Sequence, residues 1–334
     1  MGTHRTIARM AGMALVGIGV ALLATGAAAV PAQAAHRAPA SALAGWHLYV
    51  DDASGAARSA ASLARQGDSA DAGAVSKIAS RPTATWITSS DGLAQVGDTV
   101  AAAASKHRQP VFVAYDMVGR DCGSYSAGGA TSPADYRAWI GSFARRLGAR
   151  RAVVILEPDA IPQALTCASA TASTRYSLLS YAVRTLARHP GTRVYLDAGN
   201  SSWITDTSAV AGALRRADIA RADGFSLNVS NFETTRASTA YGTAISKLLG
   251  GKHFVIDTGR NGNGPYTGSD GPTWCNPPGR ALGHVPTTST PNPRVDAYLW
   301  IKPPGESDGS CRLGEPASGT FWTDYAVGLV RNAH

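Results

Sequence analysis

The chain has 334 residues, 44% of them hydrophobic and 16% charged, a composition that allows a sizeable folded core and excludes a disordered or fibrous chain. The formal charge is +8, but the basic residues are scattered, and pairs such as Arg145-Arg146 and Arg215-Arg216 fall on expected helix surfaces. A solvated basic face accounts for them, so no nucleic-acid partner is expected.

Arg5 and Arg9 precede an apolar, small-residue run from Met10 to about Val30, and Pro31-Ala32-Gln33-Ala34-Ala35 follows. This pattern, with an Ala-x-Ala site at Ala32 and Ala34, reads as a secretory signal peptide over residues 1–34. A membrane anchor is the alternative, because the run is close to spanning length. The Ala/Gly richness and the cleavage-like tripeptide favour the signal, and hence a secreted, extracellular protein with no membrane association after cleavage. Residues 35–44 read as a short leader and 45–334 as a single domain. Four cysteines follow, Cys122, Cys167, Cys275 and Cys311. In an exported chain they suggest two disulfides, and chain order favours Cys122–Cys167 and Cys275–Cys311 while leaving the two other pairings open. No Cys-x-x-Cys pair occurs and no His lies at ligand spacing, so no metal and no cofactor are expected.

Apolar, β-prone runs occur at Trp46–Val50, Thr83–Ile87, Val111–Tyr115, Ala152–Leu156, Arg193–Leu196, Gly224–Asn228, His253–Ile256 and Asp296–Ile301, separated mostly by helical patterns. Ser132-Pro133 opens one helix as N-cap and first-turn proline, placing Tyr136, Trp139, Ile140 and Phe143 on one face. Another helix is predicted over Thr174–Arg188. Alternating strands and helices imply an α/β fold with a mostly parallel sheet, and this many units fit a (β/α) barrel. In such barrels chemistry sits where strands end, here at 115–121, 157–159, Asp197, 228–231, 257–260 and 302–308. Nearly every strand ends in a carboxylate, an amide or a base.

Two carboxylates facing across a groove can cleave a glycosidic bond, one protonating the leaving oxygen and one assisting water. Trp86, Trp203 and Trp274 are candidates to stack on sugar faces, with core packing as the alternative. The sequence has no Gly-x-Ser-x-Gly elbow, phosphate loop or His-Glu-x-x-His, so serine hydrolase, nucleotide enzyme and zinc protease lack their parts.

As a set, the rim segments resemble glycoside hydrolase family 6, the cellobiohydrolases and endoglucanases of cellulose breakdown. The matching stretches are Tyr115-Asp116-Met117-Val118-Gly119-Arg120-Asp121-Cys122, Leu156-Glu157-Pro158-Asp159, Tyr195-Leu196-Asp197-Ala198-Gly199, Asn228-Val229-Ser230-Asn231-Phe232, Asp257-Thr258-Gly259-Arg260-Asn261-Gly262, Trp274-Cys275-Asn276-Pro277-Pro278-Gly279-Arg280 and Trp300-Ile301-Lys302-Pro303-Pro304-Gly305-Glu306-Ser307-Asp308-Gly309. The resemblance implies a distorted barrel of about seven parallel strands in one domain, and inverting hydrolysis of a β-1,4-glucan by a monomer. Asp159 matches the general acid and Asp121 the carboxylate that keeps it protonated. Asp308 matches the residue often proposed as base, with a charge held by Arg260 or Lys302 as the alternative.

Ser126 matches the hydroxyl that holds the attacking water, Tyr115 the aromatic crowding the distorted sugar, and Asp197 a further carboxylate nearby. Trp86, Trp203, Asn231, Trp274, Lys302 and Glu306 match glucan-binding positions, and both favoured cysteine pairs match family disulfides. Three departures stand out: Asn200 where many similar sequences have His, Phe232 where Tyr is common, and the looser Met117-Val118-Gly119. The stretch from Asn263 to Thr273 is short, as is the spacing of Asp308 from Cys311, so an open cleft and an endoglucanase are expected. A cellobiohydrolase and an inactive carbohydrate-binding protein are the alternatives.

Overall fold

The computed structural model describes residues 41–167 and 171–333. The signal-like segment with Arg5, Arg9, Ala32 and Ala34, and most of the 35–44 leader, lie outside the described residues. No helix among the described residues is long and apolar enough to cross a membrane.

Seven parallel strands pair in sequence order: β1 Thr85–Ile87, β2 Val111–Ala114, β3 Ala152–Leu156, β4 Thr192–Asp197, β5 Gly224–Leu227, β6 His253–Asp257 and β7 Val295–Leu299. Parallel neighbours need a crossover. Helices Leu93–Ser105, Pro133–Leu147, Ala172–Leu186, Thr207–Arg216 and Thr235–Leu248 supply those between β1 and β6. From β6 to β7 the chain crosses without a helix. Ser132 caps Pro133–Leu147 by accepting from the Asp135 amide at 3.1 Å, and the predicted face of Tyr136, Trp139, Ile140 and Phe143 is buried.

Seven of the eight apolar runs become strands, and Trp46–Val50 does not. Its sheet-like link is one parallel bridge, Leu48 to Gln109. Its apolar bulk goes elsewhere, because Trp46 and the neighbouring Leu43 pack with the residues that fill the barrel. The sheet therefore curls into a half-barrel whose edge strands are not laddered. Two bonds bridge that seam: Ala84 N–H donates to Trp300 O at 3.0 Å, and Trp86 Nε1 donates to Ile301 O at 2.8 Å.

The period of two along each strand sorts the core into two faces. Val111, Val113, Val153, Ile155, Tyr195 and Val255 fill the interior. Phe112, Val154, Leu156, Val194, Leu196, Phe254 and Ile256 pack on the outer helices. Inside the barrel, Tyr195 Oη donates to Asp296 Oδ2 at 2.7 Å, and His253 Nδ1 lies 2.7 Å from Asp296 Oδ1. A Tyr195→Phe change leaves one oxygen of a buried carboxylate without its donor, so a loss of about 1–3 kcal/mol is expected. Urea denaturation should show the midpoint falling with an unchanged m-value.

Candidate active site

Two residues beyond Ile155, Tyr195 and Val255, the inward-facing rows end in Glu157, Asp197 and Asp257, all buried. Each takes backbone N–H groups from the loops around it. Glu157 accepts from the amides of Asp116, at 3.1 Å, and Met117, at 3.0 Å. Asp197 accepts from Asp159 N–H at 2.9 Å, Gly199 N–H at 3.1 Å and Ser226 Oγ at 3.2 Å. Asp257 accepts from the amides of Ser230, Gly259, Ile301 and Lys302, at 2.9–3.2 Å. The strand ends thereby fix the backbone of the loops that carry the other polar residues.

Asp159 stands at the start of helix Ala160–Thr166 but caps nothing with its side chain. Its backbone is left-handed (φ 68°), a conformation that Asp tolerates better than most residues, and the bond from its amide to Asp197 holds it there. The carboxyl therefore points away from cap duty and into the cleft. Burial raises its pKa well above the usual carboxylate range, and the charges of Asp197 and Asp121 raise it further. Burial also brings Asp197 up to about 6 and raises Asp121, whose oxygen accepts from the Ser126 amide at 2.7 Å.

Arg120 fastens this loop to the barrel. It donates to Ser126 O at 2.8 Å, Thr88 O at 2.8 Å and Tyr115 O at 2.7 Å, and lies 4.8 Å over the Tyr115 ring. Gly129 lets the loop close (φ 89°), because a Cβ there would stand 1.9 Å from Met117 O. The disulfide Cys122–Cys167 joins the residue after Asp121 to the end of the helix that follows Asp159, so both carboxylates share one staple.

Asp308 lies in a different environment. Arg260 grips it with two bonds of 2.8 and 2.9 Å, and Asn276 N–H adds a third at 3.0 Å. The second disulfide, Cys275–Cys311, flanks Asn276. Glu315 lies beside those sulfurs, but they are bonded to each other and offer no thiolate. Lys302 Nζ donates to Ser307 O at 2.9 Å and lies 3.8 Å from Glu306. Burial lowers the Lys302 pKa and raises that of Glu306.

These residues surround a cleft of about 1120 Å³. Of those singled out from sequence, Trp86, Tyr115, Asp121, Ser126, Asp159, Trp203, Asn231, Trp274, Lys302, Glu306 and Asp308 all line it, and Asp197 lies beneath. Trp203 and Trp274 are 39% and 42% exposed, as platforms must be, whereas Trp86 meets the Tyr115 ring edge-on at 5.4 Å. Glu157 and Asp257 are visible inside the sequence motifs but carry no assigned role there. Sequence reasoning misses Glu233, which also lines the cleft. The signal for the first two is the strand period running one step past the apolar stretch. None marks Glu233.

The family described as glycosyl hydrolases family 6 matches residues 43–333. The chain belongs to that family. It is 43% identical over 261 residues to endoglucanase A of Cellulomonas fimi, covering 77% of this chain and 56% of the relative. It therefore spans little more than half of that protein. Endoglucanase 1 of Streptomyces halstedii is 41% identical over 293 residues, covering 85% of this chain and 88% of the relative. Among solved structures, the family 6 endoglucanase of Mycobacterium tuberculosis, in complex with a methyl cellobiosyl-thio-cellobioside, superposes with a TM-score of 0.82 at 44% identity, over 87% of this chain and 98% of the other.

Burial pushes Glu157 up to about 8 from an ordinary 4.5, which has a consequence for stability. The folded state binds the proton more tightly than the unfolded one, so the stabilising contribution is full below pH 4.5 and is lost as pH rises to about 8. Glu157→Gln removes this titration. Denaturant unfolding of the variant between those pH values should show a decline shallower than the parent's by up to one proton.

Proposed function

We propose that the protein is a secreted, inverting hydrolase of β-1,4-glucosidic bonds in cellulose-type glucans, cutting within the chain. The observation that carries this reading is Asp159: a carboxyl in the cleft, free of capping duty, its pKa raised by burial and two neighbouring carboxylates. A group so placed keeps its proton at neutral pH and can give it to a glycosidic oxygen. Water then adds to the anomeric carbon from the opposite face as the glycosidic bond breaks. The water's proton passes towards Asp121, whose loop carries Ser126, and on to solvent.

The two bonds from Arg260 and the third from Asn276 engage both oxygens of Asp308. A carboxylate so neutralised is a poor direct base, so Asp308 here shapes the sugar site and Asp121 receives the proton through water. Trp86, Trp203 and Trp274 offer faces to successive sugars, with Asn231, Lys302 and Glu306 giving polar contacts and Tyr115 crowding the ring that distorts. The short loops and the exposed Trp203 and Trp274 favour a cleft open to mid-chain binding. The endoglucanase names of the two relatives support the same mode. Export rests on the signal-like segment, and a monomer suffices because every group invoked belongs to one chain.

Asp159→Asn keeps the shape and removes the transferable proton, so hydrolysis of a cello-oligosaccharide should fall by about 10²–10⁴. Proton NMR of the parent's first product should show the α-anomer from the β-linked substrate. An initial β-anomer, or a fully active variant, overturns the assignment.

Asp197→Asn tests the electrostatics. The Asp197 charge raises the Asp159 pKa, so removing it should let Asp159 lose its proton at lower pH. The alkaline limb of the kcat/KM profile should move towards acid. An alkaline limb that stays in place shows that Asp197 does not hold the acid protonated.

A further inference from the structure

Glu233 follows β5, on the side of the barrel mouth opposite the seam between β1 and β7. It is 9% exposed and lines the cleft. Its backbone is held on both sides: its N–H donates to Asn228 Oδ1 at 3.0 Å, and its carbonyl accepts from Asn228 Nδ2 at 3.1 Å and Asn261 Nδ2 at 2.9 Å. Among the described residues the carboxyl itself meets Ser202 Oγ, at 2.8 Å from Oε1, and Ser201 Oγ, at 3.4 Å from Oε2. No ion pair to it forms among the described residues.

The count of donors falls short. A carboxylate offers about four lone-pair sites. Ser202 Oγ has a single proton and two acceptors in reach, Glu233 Oε1 and, at 2.9 Å, Asn200 Oδ1. Asn200 cannot turn its amide to help, because the same Oδ1 accepts from the amides of Ser202 and Trp203, both at 3.1 Å. Glu233 is thus a nearly buried carboxyl group with two hydroxyl donors at most, one of them contested, and no ion pair among the described residues. Such a group is costly unless a ligand completes its hydrogen bonds.

The same turn that contests the Ser202 proton also presents Trp203. Asn200 Oδ1 anchors Ser202 and Trp203 together, and Ser202 reaches Glu233. The backbone that carries the exposed Trp203 indole and the under-donated Glu233 carboxyl are therefore tied through one turn on the cleft wall. A sugar ring stacked on an indole directs its equatorial hydroxyls sideways, and hydroxyls are the donors that Glu233 lacks.

We propose that Glu233 is a substrate-positioning residue, accepting hydroxyl hydrogen bonds from the glucose unit that stacks on Trp203, and that this unit sets the register in which a short glucan is cut. The inference rests on the glucan reading above. A charge-assisted hydrogen bond is stronger than a neutral one, so losing it weakens one subsite relative to the others and shifts which bond lies over Asp159. Glu233→Gln keeps the shape and the contacts with Ser201 and Ser202 while replacing one acceptor oxygen with a donor.

The experiment compares parent and Glu233→Gln on cellopentaose and cellohexaose, following product ratios and KM and kcat separately, with thermal unfolding as a check on folding. We expect KM to rise about 10-fold, kcat to change less, and the product ratio to shift, with the unfolding midpoint held. A merely structural role would lower kcat and the midpoint and leave the ratio alone. If the parent does not cut these oligosaccharides, the glucan reading fails and this assignment fails with it. If the parent cuts and the variant gives the same ratio and KM, only the role of Glu233 is overturned.

Discussion

The rest of the structure depends on one constraint: carboxylates are buried at the mouth of the half-barrel, and most are met by backbone N–H groups rather than cations. An ionised carboxylate taken out of water must regain its hydrogen bonds or neutralise itself. Asp197 and Asp257 take the first course, whereas Glu157, although it accepts two backbone amides, is pushed up to about 8 by burial and takes the second. Asp257 alone receives amides from segments that follow β5, β6 and β7. The loops at the rim are thereby fixed from below, each anchored to a strand end whose position the sheet already dictates. Catalytic loops need this rigidity, because a group displaced by an ångström loses much of its effect.

The same low-dielectric surroundings act differently on each acid, according to what the sequence puts beside it. Asp308 has Arg260, packed 4.5 Å over the Phe232 ring and almost wholly buried, and forms half of an ion pair with it. Asp159 has no ion pair among the described residues and shares its surroundings with Asp197 and Asp121, so burial and their charges drive its pKa up against the opposing charge of Arg175. One shell of similar side chains yields an ion pair, a set of backbone anchors and an acid whose pKa is raised. The difference comes from partners, not from residue type.

Much of this is legible in the amino-acid sequence. The strands declare themselves through apolar runs, and the rim residues through their position one step beyond those runs. The disulfide pairing favoured by chain order is the one the structure forms. Trp46–Val50 misleads because its apolar residues serve as filling for a seven-stranded interior, and an apolar run does not reveal whether it pairs or plugs. Glu233 is invisible for a related reason. Its isolation follows from the Asn200 turn, some thirty residues upstream, and from the absence of any cation in reach, and neither is a property of local sequence. Asn200 itself stands out as a departure from His, but its effect on the Ser202 proton needs three-dimensional contacts to appear.

The open seam explains why the site is a groove and not a pit. In a closed barrel the strand ends form a ring, and a ligand enters from above. Here β1 and β7 are bridged by the Ala84–Trp300 and Trp86–Ile301 bonds rather than by a ladder, and the cleft continues past them over Ser54, Gly55, Pro303 and Phe321. Gly55 is required at that exit, because a Cβ would stand 2.9 Å from the Phe321 side chain. At the opposite wall, Trp203 and Glu233 rise from the loops after β4 and β5. Asp159, after β3, lines the same cleft, which therefore runs from the seam to that wall.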